Sequence, residues 1–208
     1  MITEVNLTLI LLAALVATAS PGPATLAIAG TSMASGRRYG LALAAGVTTG
    51  SLTWSVAAAA GLSAVMLANA WAFEIMRYAG AGYLLFLAFK SARSACAPGA
   101  LQTARIKTPT LKSAYRRGLV LHLTNPKAIL FFGALYAVGV PAGSSPATLA
   151  LVIAAIGLQS LLLFHGYALL FSSPPLTAGY AKLRRWFEAV FAVAFAAAGI
   201  RILTARLG

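Results

Sequence analysis

Two short proline-containing segments interrupt long apolar runs of this 208-residue chain. The first consists of Ser20, Pro21, Gly22 and Pro23, and the second of Thr124, Asn125, Pro126 and Lys127. Proline has no backbone N–H and clashes with the preceding helical turn, so the carbonyls just before each segment's proline lose their helical partners. A half-helix that restarts at Pro23 or Pro126 presents free N–H groups and the positive end of its dipole.

These exposed backbone groups predict a particular ligand chemistry. A carboxylate suits the N-terminal ends of the half-helices, and an ammonium suits the freed carbonyls. Together they predict a receptor for a zwitterion, such as an amino acid. One proline in an apolar helix is commonly only a kink, but two breaks at matching positions favour a binding site. Gly22 adds to this, because the backbone there can open without a side chain in the way.

Few ionisable side chains lie close to the breaks. Lys127 is interpreted either as a ligand for the substrate carboxylate or as a side chain that snorkels to the membrane interface. His122 and His165 are candidates for a proton relay, although a lone buried histidine is more often a packing residue. Cys96 is the only cysteine, and no cluster of metal ligands, nucleophiles or paired carboxylates is evident. The sequence therefore predicts no metal, no cofactor and no enzyme.

The elements that carry these residues are predicted to cross a membrane. The chain is 60% apolar and 9% charged, whereas a soluble domain is about 45–50% apolar and about 25% charged. Uncharged runs of 32, 35 and 54 residues begin at Val5, Tyr39 and Ala128, and each exceeds the ~20 residues that a spanning helix needs. The predicted fold class is an all-α polytopic membrane protein with six transmembrane helices, of which helices one and four are broken at proline. The predicted helices lie at about residues 5–34, 39–63, 71–90, 118–140, 147–171 and 186–205.

The basic residues predict the orientation of these helices. The net charge is +13, and twelve of the sixteen Lys and Arg residues lie in three connections, while the connection at 141–146 has none. The positive-inside rule places those three connections in the cytoplasm and both termini outside. Basic residues in short loops also attract anionic lipid headgroups, so the composition predicts membrane lipids and no nucleic acid as partners.

The two breaks occupy matching positions in the two halves of the chain. Residues 91–117 are predicted to form a basic cytoplasmic linker between a first three-helix repeat, residues 1–90, and a second one, residues 118–208. Pro126 follows Pro21 by 105 residues. Because three predicted helices separate the breaks, the two broken helices run in opposite directions through the membrane. Paired broken helices in such an inverted-topology repeat typically mark the binding site of a secondary transporter.

These motifs resemble those of the LysE/RhtB superfamily of bacterial amino-acid exporters over nearly the whole chain. The matching segments are residues 20–23, the turn at 36–40, Gly80 with Tyr83 and Leu84, and residues 123–127. The resemblance implies a multi-pass protein of the bacterial cytoplasmic (inner) membrane that exports amino acids or close derivatives at the expense of the proton-motive force. Many relatives carry an acidic residue in the fifth helix, where this chain has Gln159 and Ser160.

The few acidic residues predict which substrate is carried. Glu4, Glu74 and Glu188 are the three acids of the chain, and all are expected toward the ends of the spans. An unpaired charge at the bilayer centre costs at least ~2.5 kcal/mol, so a cationic side chain is disfavoured. We therefore expect a neutral amino acid or a homoserine-type derivative, exported by proton antiport. The alternatives are a basic amino-acid exporter of the same family and a passive channel for small solutes, and a homo-oligomer is left open.

Overall fold

All the elements of the computed structural model are helices over the residues that it describes, which are 5–68, 70–96, 110–141 and 143–204. The side chains of residues 62–77, 80, 138, 201 and 202 are outside this description. In chain order the helices are α1 (Leu7–Ala19), α2 (Pro23–Ser35), α3 (Arg37–Ala68), α4 (Ala70–Cys96), α5 (Leu111–Leu123), α6 (Pro126–Gly139), α7 (Pro146–Phe171) and α8 (Pro174–Thr204).

Both predicted helix breaks are present. Helices α1 and α2 meet at an angle of 52° across residues 20–22, and α5 and α6 meet at 57° across residues 124–125. Pro23 and Pro126 each occupy the first turn of the new half-helix, where the missing N–H removes no helical hydrogen bond. The proline-containing segments therefore end one helix and start another, as the sequence predicts.

Two helices and two bent helix pairs of the described chain have the length and composition of membrane spans. By these criteria α3 and α7 can each cross a bilayer, and each bent pair can do so as one broken span. Helices α4 and α8 have 27 and 31 residues, or ~40 and ~46 Å at 1.5 Å per residue. Large apolar side chains project from the helix surfaces, as expected for a chain that faces lipid. The most exposed of them include Val56, Phe86, Phe89, Leu158, Leu162, Trp186, Val190 and Val193.

Several helices start earlier than the sequence predicted. Helix α5 begins at Leu111, inside the predicted linker, because the Thr110 hydroxyl caps it by accepting a hydrogen bond from the Ser113 N–H at 3.1 Å. Helix α8 begins at Pro174, twelve residues before the predicted span. Basic residues mark where a helix leaves the apolar core, but they do not end it. The central part of the predicted linker, residues 97–109, lies outside the described residues.

Small residues bring α3 and α5 into backbone contact. A Cβ atom on Gly46 would overlap the carbonyl oxygen of Tyr115, and one on Gly118 would overlap that of Leu43. A Cβ atom on Gly50 would lie 2.9 Å from the Cβ of His122. Gly46 and Gly50 are four residues apart and so share the face of α3 that permits this close approach. This contact fixes α5, and with it the second break, against α3.

Candidate functional site

The two breaks touch each other through one side chain. The Nζ of Lys127, at the start of α6, donates a hydrogen bond of 2.9 Å to the backbone carbonyl of Ser20, at the end of α1. The lysine side chain passes Gly22 so closely that a Cβ atom there would lie 3.2 Å from the Cδ of Lys127. The structure thus brings Ser20 and Gly22 of the first segment together with Lys127 of the second, whereas the Thr124 hydroxyl donates to the carbonyl of Val120 on its own helix. Gly22 leaves the room that Lys127 occupies.

The freed carbonyls of α1 are partnered by the second half of the chain. Lys127 holds the carbonyl of Ser20, and the Tyr167 hydroxyl on α7 donates a 2.7 Å hydrogen bond to the carbonyl of Ala19. Both carbonyls belong to the group that the sequence assigned to a substrate ammonium. An ammonium does sit on Ser20, but it is that of the protein itself.

The N-terminal ends of the two half-helices differ. At α6 the side-chain oxygen of Asn125 accepts a 3.1 Å hydrogen bond from the Lys127 N–H, so this end has its own cap. At α2 the capping position is Gly22, and no side chain caps the helix. The first N–H groups of an uncapped helix have no helical partner. The end of α2 is therefore the more open of the two half-helix ends.

A cavity of about 40 Å³ lies beside the contact between the breaks. It has room for a few water molecules and none for an amino acid, so the site is closed in this conformation. Polar groups from both broken spans and aromatic rings from α6 and α7 line it. Its lining includes Thr18, Ser20, Gly22, Thr25, Ser51, His122, Asn125, Lys127, Phe131, Phe132, Ser160 and Phe164.

An apolar cavity of about 500 Å³ lies on the other side of Phe131. Helices α1, α4, α6 and α8 form its walls, with side chains such as Leu12, Leu84, Leu135 and Phe195. Phe131 lines both cavities. The polar cavity at the breaks and the apolar cavity therefore adjoin at this residue.

The two histidines have different positions. His122 is 6% exposed, lines the small cavity, and places its Nε2 3.0 Å from the Ser51 hydroxyl. Its ring meets Phe164 edge-on at 5.8 Å, and its Nδ1 has no hydrogen-bond partner within the described part of the chain. His165 has its Nδ1 2.9 Å from the carbonyl of Leu161 on its own helix and is absent from the cavity lining. Only His122 is placed at the breaks.

The threonine hydroxyl groups near the middle of α3 bond to their own helix, as is common for threonine within a helix. Thr48, Thr49 and Thr53 each donate to the carbonyl four residues earlier. Ser51 and Ser55 differ from them, because Ser51 faces His122 and the cavity and the Ser55 hydroxyl lies 2.6 Å from that of Tyr136. The sequence does not set Ser51 apart from the threonines, because one chain does not show which face of α3 meets α5.

Glu188 is the residue whose surroundings the sequence described least well. It was expected near the end of the last span, and it does lie beside the end of α4, where the Ser94 hydroxyl donates a 2.9 Å hydrogen bond to its Oε1. However, Glu188 is only 4% exposed, and its charge interacts with that of Lys127. The sequence did not predict that this carboxylate is buried.

Comparison with known protein families gives a match over nearly the whole chain. The family described as LysE type translocator matches residues 15–206, which includes both breaks and all eight helices in whole or in part. The chain belongs to the LysE type translocator family. This membership agrees with the resemblance that the sequence motifs indicated.

Individual relatives match this LysE-family chain over nearly its full length. It is 29% identical to the threonine efflux protein of Salmonella typhi over 92% of this chain and 94% of the relative. The threonine efflux protein of Escherichia coli K12 has the same identity and coverage. The uncharacterized membrane protein YahN of Escherichia coli K12 is 28% identical over 88% of this chain and 82% of the relative. No solved structure matches this translocator.

Proposed function

We propose that this translocator exports a neutral amino acid or a homoserine-type derivative from the cytoplasm across the bacterial inner membrane. The observation that carries the proposal is the hydrogen bond between Lys127 and the carbonyl of Ser20, which joins the two breaks. It places a positive charge, an uncapped helix end and freed carbonyls in one small region. The names of the relatives as threonine efflux proteins support a small hydroxyl-bearing amino acid as substrate.

The carboxylate of the substrate binds at the start of α2. There Ala24 and Thr25, in the uncapped first turn, line the same cavity as Lys127, so free N–H groups and an ammonium are available to an anion. Lys127 has three N–H donors, so a carboxylate can bind it while one donor remains on Ser20. The cavity then has to widen from its closed volume of about 40 Å³.

The ammonium of the substrate binds on the α1 side of the same cavity. The last carbonyls of α1 have no helical N–H to accept from, and the end of α1 lines the cavity through Ala17, Thr18 and Ser20. The hydroxyls of Ser51 and Ser160 also reach the cavity. They provide hydrogen bonds for a substrate hydroxyl such as that of threonine or homoserine.

The helix contacts support two inverted three-helix repeats that together make six spans. If α1, α2, α3 and α4 correspond to α5, α6, α7 and α8, most contacts occur as matched pairs. Helix α1 packs on α7 as α5 packs on α3, and α2 packs on α7 as α6 packs on α3. The contact of α1 with α6 matches that of α2 with α5. The contacts of α3 with α7 and of α4 with α8 each join equivalent helices of the two repeats, so they stay the same when the repeats are exchanged. A two-fold relation between the repeats explains why the breaks meet.

Transport in everted membrane vesicles tests the proposal. Vesicles that contain the protein are expected to accumulate radiolabelled threonine or homoserine against a gradient, and an uncoupler is expected to abolish the accumulation. Equilibration without accumulation would identify a passive channel. Accumulation of lysine and arginine alone would identify a basic amino-acid exporter. Vesicles from cells that lack the gene serve as the control.

A further inference from the structure

Glu188 is a buried carboxylate that substrate binding at the breaks does not use. It lies at the middle of α8, with fourteen residues of the helix before it and sixteen after it. It is 4% exposed and accepts a 2.9 Å hydrogen bond from Ser94 on α4. A buried ionised carboxylate is costly unless it is paired or has a function. Within the described side chains it is the one acidic group.

The groups that interact with Glu188 come from three other helices. Ser94 on α4 donates a hydrogen bond to it, and its charge acts over a longer range on Tyr167 of α7 and Lys127 of α6. Helix α1 also packs on α8, but it contains no ionisable residue. On α8 itself Tyr180 interacts with Glu188, and Arg184 donates a 2.9 Å hydrogen bond to the Ser94 hydroxyl. Lys90 on α4 is the remaining charged group of this region, because its charge acts on Lys127.

We propose that Glu188 is the proton-binding carboxylate of this exporter and that its charge controls substrate binding through Lys127. This inference rests on the proposed export function. Lys127 and the end of α2 neutralise the carboxylate of the substrate, so its ammonium is the charge left over. That ammonium enters a region in which Lys90 adds a further positive charge. An ionised Glu188 offsets them, and a protonated Glu188 does not.

Proton binding and substrate binding therefore oppose each other. When Glu188 takes up a proton, one negative charge disappears and the substrate ammonium is bound less well. When the substrate binds, its ammonium favours the ionised carboxylate, and the proton leaves to the solution. Linkage requires the two effects to be equal in free energy. Mutual exclusion of a proton and a substrate is what antiport needs.

A structural role is the competing explanation for Glu188. Ser94 and Glu188 join α4 to α8, and Arg185 does the same through a 3.0 Å hydrogen bond from its Nε to the carbonyl of Ala95. The variant Glu188→Gln keeps the size of the side chain and an oxygen that accepts from Ser94, but it cannot ionise. Glu188→Asp keeps the charge. Arg185→Gln weakens the same helix contact without touching the carboxylate, and it is the matched control.

Proteoliposomes separate the two roles when radiolabelled threonine is the probe. Exchange of internal for external threonine needs no net proton movement, whereas accumulation driven by an acidic vesicle interior does. We expect Glu188→Gln to exchange threonine at the reduced rate that the native protein shows at acidic pH, and to lose accumulation down to the level reached without a pH gradient. We expect Glu188→Asp and Arg185→Gln to retain both activities. The exchange rate of the native protein should fall at acidic pH, and that of Glu188→Gln should not.

Two results with Glu188→Gln would overturn the inference. One is accumulation equal to that of the native protein, and the other is loss of exchange, which would assign the residue to structure or to the substrate path. Native protein that exchanges threonine but ignores the pH gradient would overturn the inference and leave amino-acid export in place. Native protein that exchanges none of threonine, homoserine, leucine and lysine would instead contradict the proposed function.

Discussion

At the scale of single residues, the site depends on the space that Gly22 leaves open. The Lys127 side chain runs across this glycine to reach the carbonyl of Ser20. A side chain at position 22 larger than a methyl group has to displace the lysine. The ammonium would then lose its acceptor, and an unmet hydrogen bond of a buried charged group costs more than about 1–3 kcal/mol.

The first prediction concerns this contact. We expect Gly22→Leu to abolish threonine export while the protein still inserts into the membrane, because Lys127 no longer bridges the breaks. Gly166→Ala on α7 is the control, since a Cβ atom there meets nothing within 4 Å. Export assays and the yield of folded protein in detergent should be measured on both variants. Native export rates in Gly22→Leu would show that the breaks are not the site.

A second prediction separates the two histidines, which the sequence treated as equivalent. Because His122 lines the cavity and contacts Ser51, we expect His122→Gln to reduce threonine export several-fold. His165 bonds only to its own helix in the described structure, so His165→Gln should export at the native rate. The rates of both variants across pH 5 to 8 are the measurement. Equal effects of the two substitutions would contradict the placement of the site.

The sequence predicted the backbone chemistry of the site better than its side chains. Proline and glycine act locally, so the breaks at Pro23 and Pro126 follow from covalent structure. The partners of the freed carbonyls come from distant positions, and Tyr167 is 148 residues from Ala19. Neither that contact nor the burial of Glu188 against Ser94 has a signal in a single sequence. Such contacts are decided by how helices pack.

At the scale of helices, the junction between α3 and α5 holds the second break in place. Gly46 and Gly118 allow their backbones to touch because neither has a Cβ atom. The spacing of glycines indicated such a contact but not the partner helix. The starts of α5 and α8 were predicted too late for a related reason. Charged residues indicate where a span meets the membrane interface, and both helices begin before that point.

The third prediction tests this junction. Gly46→Ala places a methyl group where the carbonyl of Tyr115 lies, so the helices must separate, at a cost of about 1–3 kcal/mol. Gly61→Ala on the same helix meets nothing within 4 Å and should be neutral or slightly stabilising, because alanine favours a helix more than glycine does. Thermal denaturation in detergent should show a lower midpoint for Gly46→Ala alone. Equal midpoints would mean that α3 and α5 are further apart.

At the scale of the whole molecule, the positive charges and the paired breaks favour the same orientation of the helices across the membrane. If the connections rich in Lys and Arg face the cytoplasm, the C-terminal end of α4 and the start of α8 lie there too. The substrate then reaches Lys127 from the side on which Glu188 and Lys90 lie. An exporter collects its substrate from the cytoplasm, so this orientation puts the acidic group on the entry side.

The last prediction uses the single native cysteine to test that orientation. Cys96 is free and exposed at the end of α4, so a membrane-impermeant maleimide should label it in everted vesicles and not in intact cells. In a Cys96→Ser background, Ala147→Cys places a thiol at the exposed start of α7, beyond the uncharged connection. We expect this variant to react in intact cells. The two cysteines lie at opposite ends of the molecule only if the broken α5–α6 pair crosses the membrane once. Labelling of both from the same side would contradict the six-span arrangement, and labelling of Cys96 only from outside would reverse its orientation and place Glu188 on the exit path.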